Sequence, residues 1–245
     1  MTEFKESGKI ISTHQPAYLG WLGYFHKIFY SDIFVIHDAA EFSRKSFIKR
    51  TLIKKSNTDE STYLILPALK HSDFCNIIEI HLNETTDWRT SHLRKINSAY
   101  NKAPYFREYF PIIESLFDST RNVTSLVEIT SKFTNGILKI LEIEREIYFS
   151  TKLLSNQTFD NPHEKNIAIC KKLGGSIYFS GSEARDYQKN LPFPEGMRLV
   201  YQDFWRYLES NPYLERSRFI NGLSILDSLF YIGPIGIKEI FYKYE

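Results

Sequence analysis

Three short segments collect the residue types that chemistry needs. His14-Gln15, His37-Asp38 and Ser180-Gly181-Ser182 each place polar groups directly behind an apolar run. A histidine beside a glutamine at a strand exit can act as a general base or bind a phosphate oxygen, because imidazole titrates near neutrality. A histidine bonded to a neighbouring loop carbonyl has the same sequence. Ser180-Gly181-Ser182 runs on through Glu183-Ala184 to Arg185, a small-residue turn entering a helix start. Backbone N–H groups, serine hydroxyls and Arg185 can cradle an anion there, and a helix start with no ligand reads identically.

Glu41 to Arg50 interleaves Arg44, Lys45, Lys49 and Arg50 with Phe42 and Phe47. Cations behind a strand suit a diphosphate while an aromatic ring stacks on a base or sugar. Arg50 is the favoured site residue, although a solvated basic face fits each residue taken singly. Asp227 sits in an apolar helical stretch, where a carboxylate needs a partner, and structural bracing is the preferred role. His92 and His163 read as packing or capping residues. GxSxG, HExxH, P-loop and GxGxxG patterns are absent, so the commonest hydrolase, metallopeptidase and dinucleotide readings lose their main support. Cys75 and Cys170 lie far apart with no CxxC, which excludes a zinc site.

The elements that must position these groups follow from the apolar spacing. Lys9 to Thr13 reads as a strand stopped by Pro16, Gly20 to Tyr30 as a helix, and Asp32 to His37 as a second strand. Strand, helix and strand within about thirty residues is a βαβ unit, hence a parallel pair. A second unit comprises a strand over Arg145 to Ser150, a helix begun by Asn161-Pro162 and ended by Gly174-Gly175, and a strand over Ser176 to Phe179. Between them the spacing predicts strands over Tyr63 to Leu66 and Ile77 to Ile80, a loop over Lys54 to Ser61, and a mainly helical segment over about 87–142. A strand over Arg198 to Tyr201 and a helix over Ser224 to Phe230, closed by Gly233-Pro234, complete the chain. The expected fold is α/β, a mainly parallel sheet of Rossmann-like βαβ units in one domain over 1–245, with a helical insertion. Ligands of such sheets bind beyond the carboxyl ends of the strands, where the three polar segments fall.

The chain has 245 residues, 42% hydrophobic, with 31 Lys+Arg against 29 Asp+Glu. The near balance argues against a dedicated nucleic-acid binder, which needs a basic face. Aromatic residues reach 16%, a surplus that suits base or sugar surfaces as well as a core. A polar N-terminus and the lack of any run of about 18 apolar residues predict no membrane insertion and a cytoplasmic location.

His14-Gln15-Pro16-Ala17-Tyr18-Leu19-Gly20-Trp21-Leu22-Gly23-Tyr24-Phe25, followed by Lys27-Ile28 and Asp32 to Val35, resembles the opening motif of the WbqC-like family, His-Gln-Pro-x-Tyr-Leu-Pro-Trp. The resemblance continues through Arg50, Ala103 to Phe106, Tyr178 to Gly181 and Leu223 to Asp227. Gly20 stands where the family pattern has proline, which loosens the loop beside His14. The family's members are encoded among genes for bacterial O-antigen and surface polysaccharides. The resemblance therefore implies acyl or aminoacyl transfer, glycyl included, forming an amide on a nucleotide-linked amino sugar. It makes His14 the general base, with Gln15 and Asp38 orienting it or the substrate. Arg50, Arg44 and Arg185 would hold phosphates, and Tyr18 with Trp21 would form an aromatic wall. The donor is left open among coenzyme A, an acyl-carrier-protein thioester, aminoacyl-tRNA, and ATP plus an amino acid, with magnesium only in the last case. Nucleic-acid binding is expected only if aminoacyl-tRNA is the donor.

A weaker resemblance links Gly20 to Asp32, and Phe179 to Arg185, to the His-x-Gly-His loop and late Ser-Ser-Thr-x-x-Arg motif of nucleotidylyl transferases and related ATP-dependent ligases. Trp21 stands where the second histidine would be, which removes a group that stabilises the transferring phosphoryl. A non-catalytic nucleotide-sugar binding protein is the third reading.

Overall fold

The computed structural model describes residues 8–43, 46–56, 60–72, 74–155, 157–185, 192–209, 220 and 222–244. Strand β1 (Ile10–His14), helix α1 (Leu22–Tyr30) and strand β2 (Ile33–Ile36) form the expected first unit. An antiparallel hairpin follows, β3 (Arg50–Lys54) and β4 (Ser61–Ile65), and then helices α2 (Trp88–Tyr100), α3 (Phe106–Asp118) and α4 (Leu126–Ile140). Strand β5 (Glu146–Phe149) returns to the edge of β2, leading into α5 (Ser150–Leu153) and α6 (Pro162–Leu173). Strand β6 (Ile177–Gly181) joins the free side of β1, and β7 (Arg198–Gln202) lies beyond it. Helices α7 (Phe204–Glu209) and α8 (Ile225–Tyr242) follow.

The main sheet is five-stranded, in the order β5-β2-β1-β6-β7, and every pairing is parallel. A parallel sheet needs apolar cover on both faces, and alternation within the strands supplies it. Ile11, Ile33, Val35 and Tyr178 pack with Ile169 and Cys170 of α6. Phe34 and Ile36 instead join Phe25 and Ile28 of α1 and Leu229 of α8 in the larger core. The order also fixes a switch point. From β1 the chain builds outward through β2 to β5, then crosses to β6 and builds the other way, so the ends of β1 and β6 open a crevice.

Local signals explain most element ends. Asn161 accepts a hydrogen bond from the Glu164 N–H at 3.0 Å, Pro162 opens α6, and Gly174 at φ 67° closes it. One expected element differs. Ile77 to Ile80 is not a strand: Ile77–Glu79 forms a 3₁₀ turn in which Ile77 and Ile80 are buried and Ile78 is exposed. A capping box, with Glu79 accepting from the Asn76 N–H at 2.7 Å, selects that spacing of three over the alternation of a strand. Gly233-Pro234 does close the helical run that begins at Ile225, as expected. Gly233 leaves the helical region at φ 67°, ψ 176°, and a second helical run restarts on Pro234, since proline suits a first turn.

Candidate functional site

A cavity of about 440 Å³ opens at the β1–β6 switch point. Its lining includes His14 and Gln15 from the end of β1, Gly181 and Ser182 from the end of β6, and Gln202 from the end of β7. Two of the three polar segments singled out by sequence therefore meet in one crevice, as the sheet rule predicts.

His14 is half-buried, its ring edge-on to Tyr24 of α1 at 5.1 Å between centroids. The Nδ1 atom lies 2.8 Å from the Gln15 backbone carbonyl, an acceptor, so Nδ1 carries the proton and Nε2 the lone pair. Burial, followed by the charge of Lys27, lowers the His14 pKa to about 4. The ring is therefore neutral at pH 7 and arrives as an acceptor.

The loop that carries Gln15 to Trp21 is fixed from outside, which makes good the proline replaced by Gly20. The Leu19 carbonyl accepts from Thr51 Oγ1 at 3.0 Å and Ser224 Oγ at 2.9 Å, and the Gly20 carbonyl accepts from the Ile225 N–H at 2.8 Å. Strand β3 and the first turn of α8 thus hold the loop. Tyr18 lines the cavity but spends its hydroxyl on His92 Nδ1, 2.8 Å away. Trp21 lies flat against Trp205, with centroids 4.2 Å apart and an interplanar angle of 11°, and both rings line the cavity. Gly23 makes room for the indole: a Cβ there would fall 2.0 Å from a carbon of the Trp21 ring.

The other expected site residues lie elsewhere. The Asp38 carboxylate accepts from Ser150 Oγ at 2.9 Å and the Thr151 N–H at 3.0 Å, holding the start of α5. Arg50 stands on β3 with its guanidinium 4.6 Å from the Tyr63 ring and 5.7 Å from Phe47, so it braces an aromatic that itself lines the cavity. Ser180 is buried in β6, paired in register with Tyr201. Arg185 pairs with Asp203 at 2.9 Å and lies over the Tyr201 ring. Arg44 falls outside the described residues.

Sequence reasoning missed Lys27, Gln202 and Trp205 in the lining, whereas Phe47, read among the aromatics of the basic run, does lie there. Lys27 had a visible signal, a lone cation in the apolar run Leu22 to Tyr30. Gln202 ends β7 and donates its amide to the Gly23 carbonyl at 2.9 Å and to His26 Nδ1 at 2.7 Å, which ties β7 to α1. Among the described residues no cluster of His, Cys, Asp or Glu could hold a metal ion. Nor is any helix there long and apolar enough to cross a membrane.

A strand-end histidine, a fixed Gln-Pro-Ala-Tyr-Leu-Gly-Trp loop and a cavity at the switch point are the parts encoded by the opening motif. The WbqC-like protein family matches residues 15–239, starting inside that motif and ending within α8. The chain belongs to the WbqC-like protein family. An uncharacterized protein of Mycobacterium tuberculosis, Rv1507c, is 26% identical over 229 residues, covering 92% of this chain and 94% of its own length. No solved structure matches. The WbqC-like match spans both sides of the crevice, taking in Gln15 after β1 as well as β6 and β7.

Proposed function

We propose that this WbqC-like protein transfers an acyl or aminoacyl group to the amine of a nucleotide-linked amino sugar, as a step in O-antigen or surface-polysaccharide synthesis. The observation that carries the reading is the placement of His14 at the switch point, proton on Nδ1 and lone pair on Nε2, beside the Trp21–Trp205 wall. Flat aromatic faces suit the apolar side of a sugar or a nucleotide base. The family's link with polysaccharide genes supplies the substrate class.

The chemistry balances without a redox partner. The sugar nitrogen attacks the carbonyl carbon of an activated acyl donor, and a C–N bond forms as the bond to the departing thiolate or alkoxide breaks. His14 Nε2 takes the proton lost by the nitrogen and returns it to the leaving group. Gln15 and Ser182 are placed to hold the acceptor, and Phe47, braced by Arg50, closes its flank. Asp38 and Arg185 act at a distance, through the frame. Coenzyme A thioesters, carrier-protein thioesters and aminoacyl-tRNA meet the donor requirement directly, whereas a free amino acid needs ATP and magnesium first.

The test is mass spectrometry of UDP- and dTDP-linked amino sugars incubated with the protein and each donor class. An added acyl mass is expected, and His14→Ala should lower turnover by roughly 10²- to 10⁴-fold. Unchanged turnover in that variant removes His14 from the chemistry. The weak basicity that burial gives His14 favours a second reading, a nucleotide-sugar binding protein without turnover. Ligand-induced stabilisation with no product in any donor arm would select it.

A further inference from the structure

Among the described residues, Lys27 is the cation that lines the cavity. It stands on α1, 4% exposed, between neighbours that are all buried. Its Nζ donates to the Thr13 carbonyl at 3.0 Å, which sets the ammonium at the end of β1, beside His14. The cations expected to meet phosphate are directed elsewhere: Arg50 to Tyr63 and Phe47, and Arg185 to Asp203. A buried ammonium costs several kcal/mol of desolvation, and an apolar side chain at this position of an apolar helix would avoid that cost. Buried cations that persist at the edge of a cavity are candidates for ligand recognition.

We propose that Lys27 is the anion-binding residue of this cavity, taking a phosphate or carboxylate oxygen of the ligand, and that the bound anion acts on His14 through this charge. The proposal rests on the preceding reading for the identity of the cavity, not for the identity of the substrate. Three charged or titratable groups face the His14 ring: Lys27 and Tyr24 from α1, and His37 from the end of β2. His37 is in turn faced by Lys165 of α6 and by Asp38, and it hydrogen-bonds Asn166. Burial and the Lys27 charge hold His14 at about 4. An anion seated on Lys27 offsets that field and favours the imidazolium, so His14 becomes a stronger base once the substrate is in place. Linkage makes the effect reciprocal: anion affinity rises as pH falls toward the His14 pKa.

The deciding measurement is an NMR titration of His14 in the full chain, assigned by the signal missing in His14→Ala. It is run alone, with inorganic pyrophosphate and, separately, with trifluoroacetate, a carboxylate that stays ionised throughout the titration. One of the two anions is expected to raise the His14 pKa by about one unit, a tenfold gain in proton affinity. The anion that does so tells a diphosphate from a carboxylate source. Lys27→Met should weaken binding of the same anion by about tenfold or more and abolish its effect on His14, while Lys27→Arg keeps both in part. If neither anion moves His14 in the wild-type protein, or Lys27→Met binds as tightly as wild type, the proposal fails. The wild-type titration decides alone should Lys27→Met not fold. Anion binding without acyl transfer would sink the transferase reading and leave Lys27 in place. Acyl transfer that survives Lys27→Met with an unmoved His14 would do the reverse.

Discussion

At the scale of single residues, the cavity wall depends on what Gly23 lacks. Glycine inside α1 is costly by propensity, and alanine would ordinarily recover about 1 kcal/mol. Here the alanine Cβ would fall 2.0, 2.3 and 2.4 Å from three carbons of the Trp21 indole. Overlap of that size outweighs propensity, so Gly23→Ala should displace Trp21 from Trp205 and destabilise the fold by about 1 to 3 kcal/mol. Loss of the coupled indole signal in near-ultraviolet circular dichroism would report it; an unchanged spectrum would mean the wall is more yielding than its packing implies. The histidines make a second prediction. Burial lowers the pKa of His14, His37 and His92 to about 4, and that of His26 well below its usual value. The unfolded chain therefore binds more protons than the folded one below about pH 6.5, and stability falls as pH drops from there through about 4. Asp227 works the other way, since desolvation raises its pKa to about 6 and its protonation favours the folded state as pH falls. Four imidazoles against one carboxylate leave a net loss. The expected outcome is a thermal midpoint that decreases steadily from pH 7 to pH 4.5, and a flat profile would contradict the buried-neutral assignment.

At the scale of elements, the βαβ units were legible because apolar periodicity and caps agreed. Asn161-Pro162 and Gly174 bracket α6 in the sequence as in the fold, and Asn161→Ala should cost about 1 kcal/mol in urea unfolding, with no change in the slope against denaturant. The elements that escaped are those decided by contacts distant in sequence. Strand β3 begins in the basic run ending at Arg50 and ends at Lys54, and neither charge signals a strand. Thr51 and Lys54 are buried there because Thr51 bonds the Leu19 carbonyl and Lys54 meets Asp227. The site divided the same way. His14, Gln15, Gly181 and Ser182 were found because the strand-end rule names where to look, while Trp205 and Gln202 enter only through tertiary packing. Asp38 shows the converse: it follows a strand, yet its carboxylate is spent on the start of α5.

At the scale of the whole molecule, a buried ion pair joins the elements that hold the His14 loop. Lys54 Nζ of β3 lies 3.3 Å from an Asp227 oxygen in the first turn of α8 and 4.2 Å from the Tyr231 ring centroid. The Lys54 N–H donates to Tyr100 Oη of α2 at 3.1 Å. Next to Asp227, Ser224 and Ile225 bind the Leu19 and Gly20 carbonyls, so the pair sits directly behind the anchor of the His14 loop. The partners are unequal. Asp227 has a pKa raised to about 6, so its carboxyl can shed its charge by taking a proton when the lysine is removed. Asp227→Asn, which leaves Lys54 without this carboxylate, should cost about 3 to 5 kcal/mol at pH 7. Lys54→Met should cost less, and less at pH 5.5 than at pH 8. Because both desolvation costs vanish together, the Lys54→Met/Asp227→Leu double variant should recover most of the loss, a coupling that urea unfolding of the four proteins would measure directly. If the double variant is instead as unstable as the two single losses added, the ion pair is not what joins β3 to α8. The hydrogen bonds from Thr51, Ser224 and Ile225 would then be left as the means by which the frame holds the loop at His14.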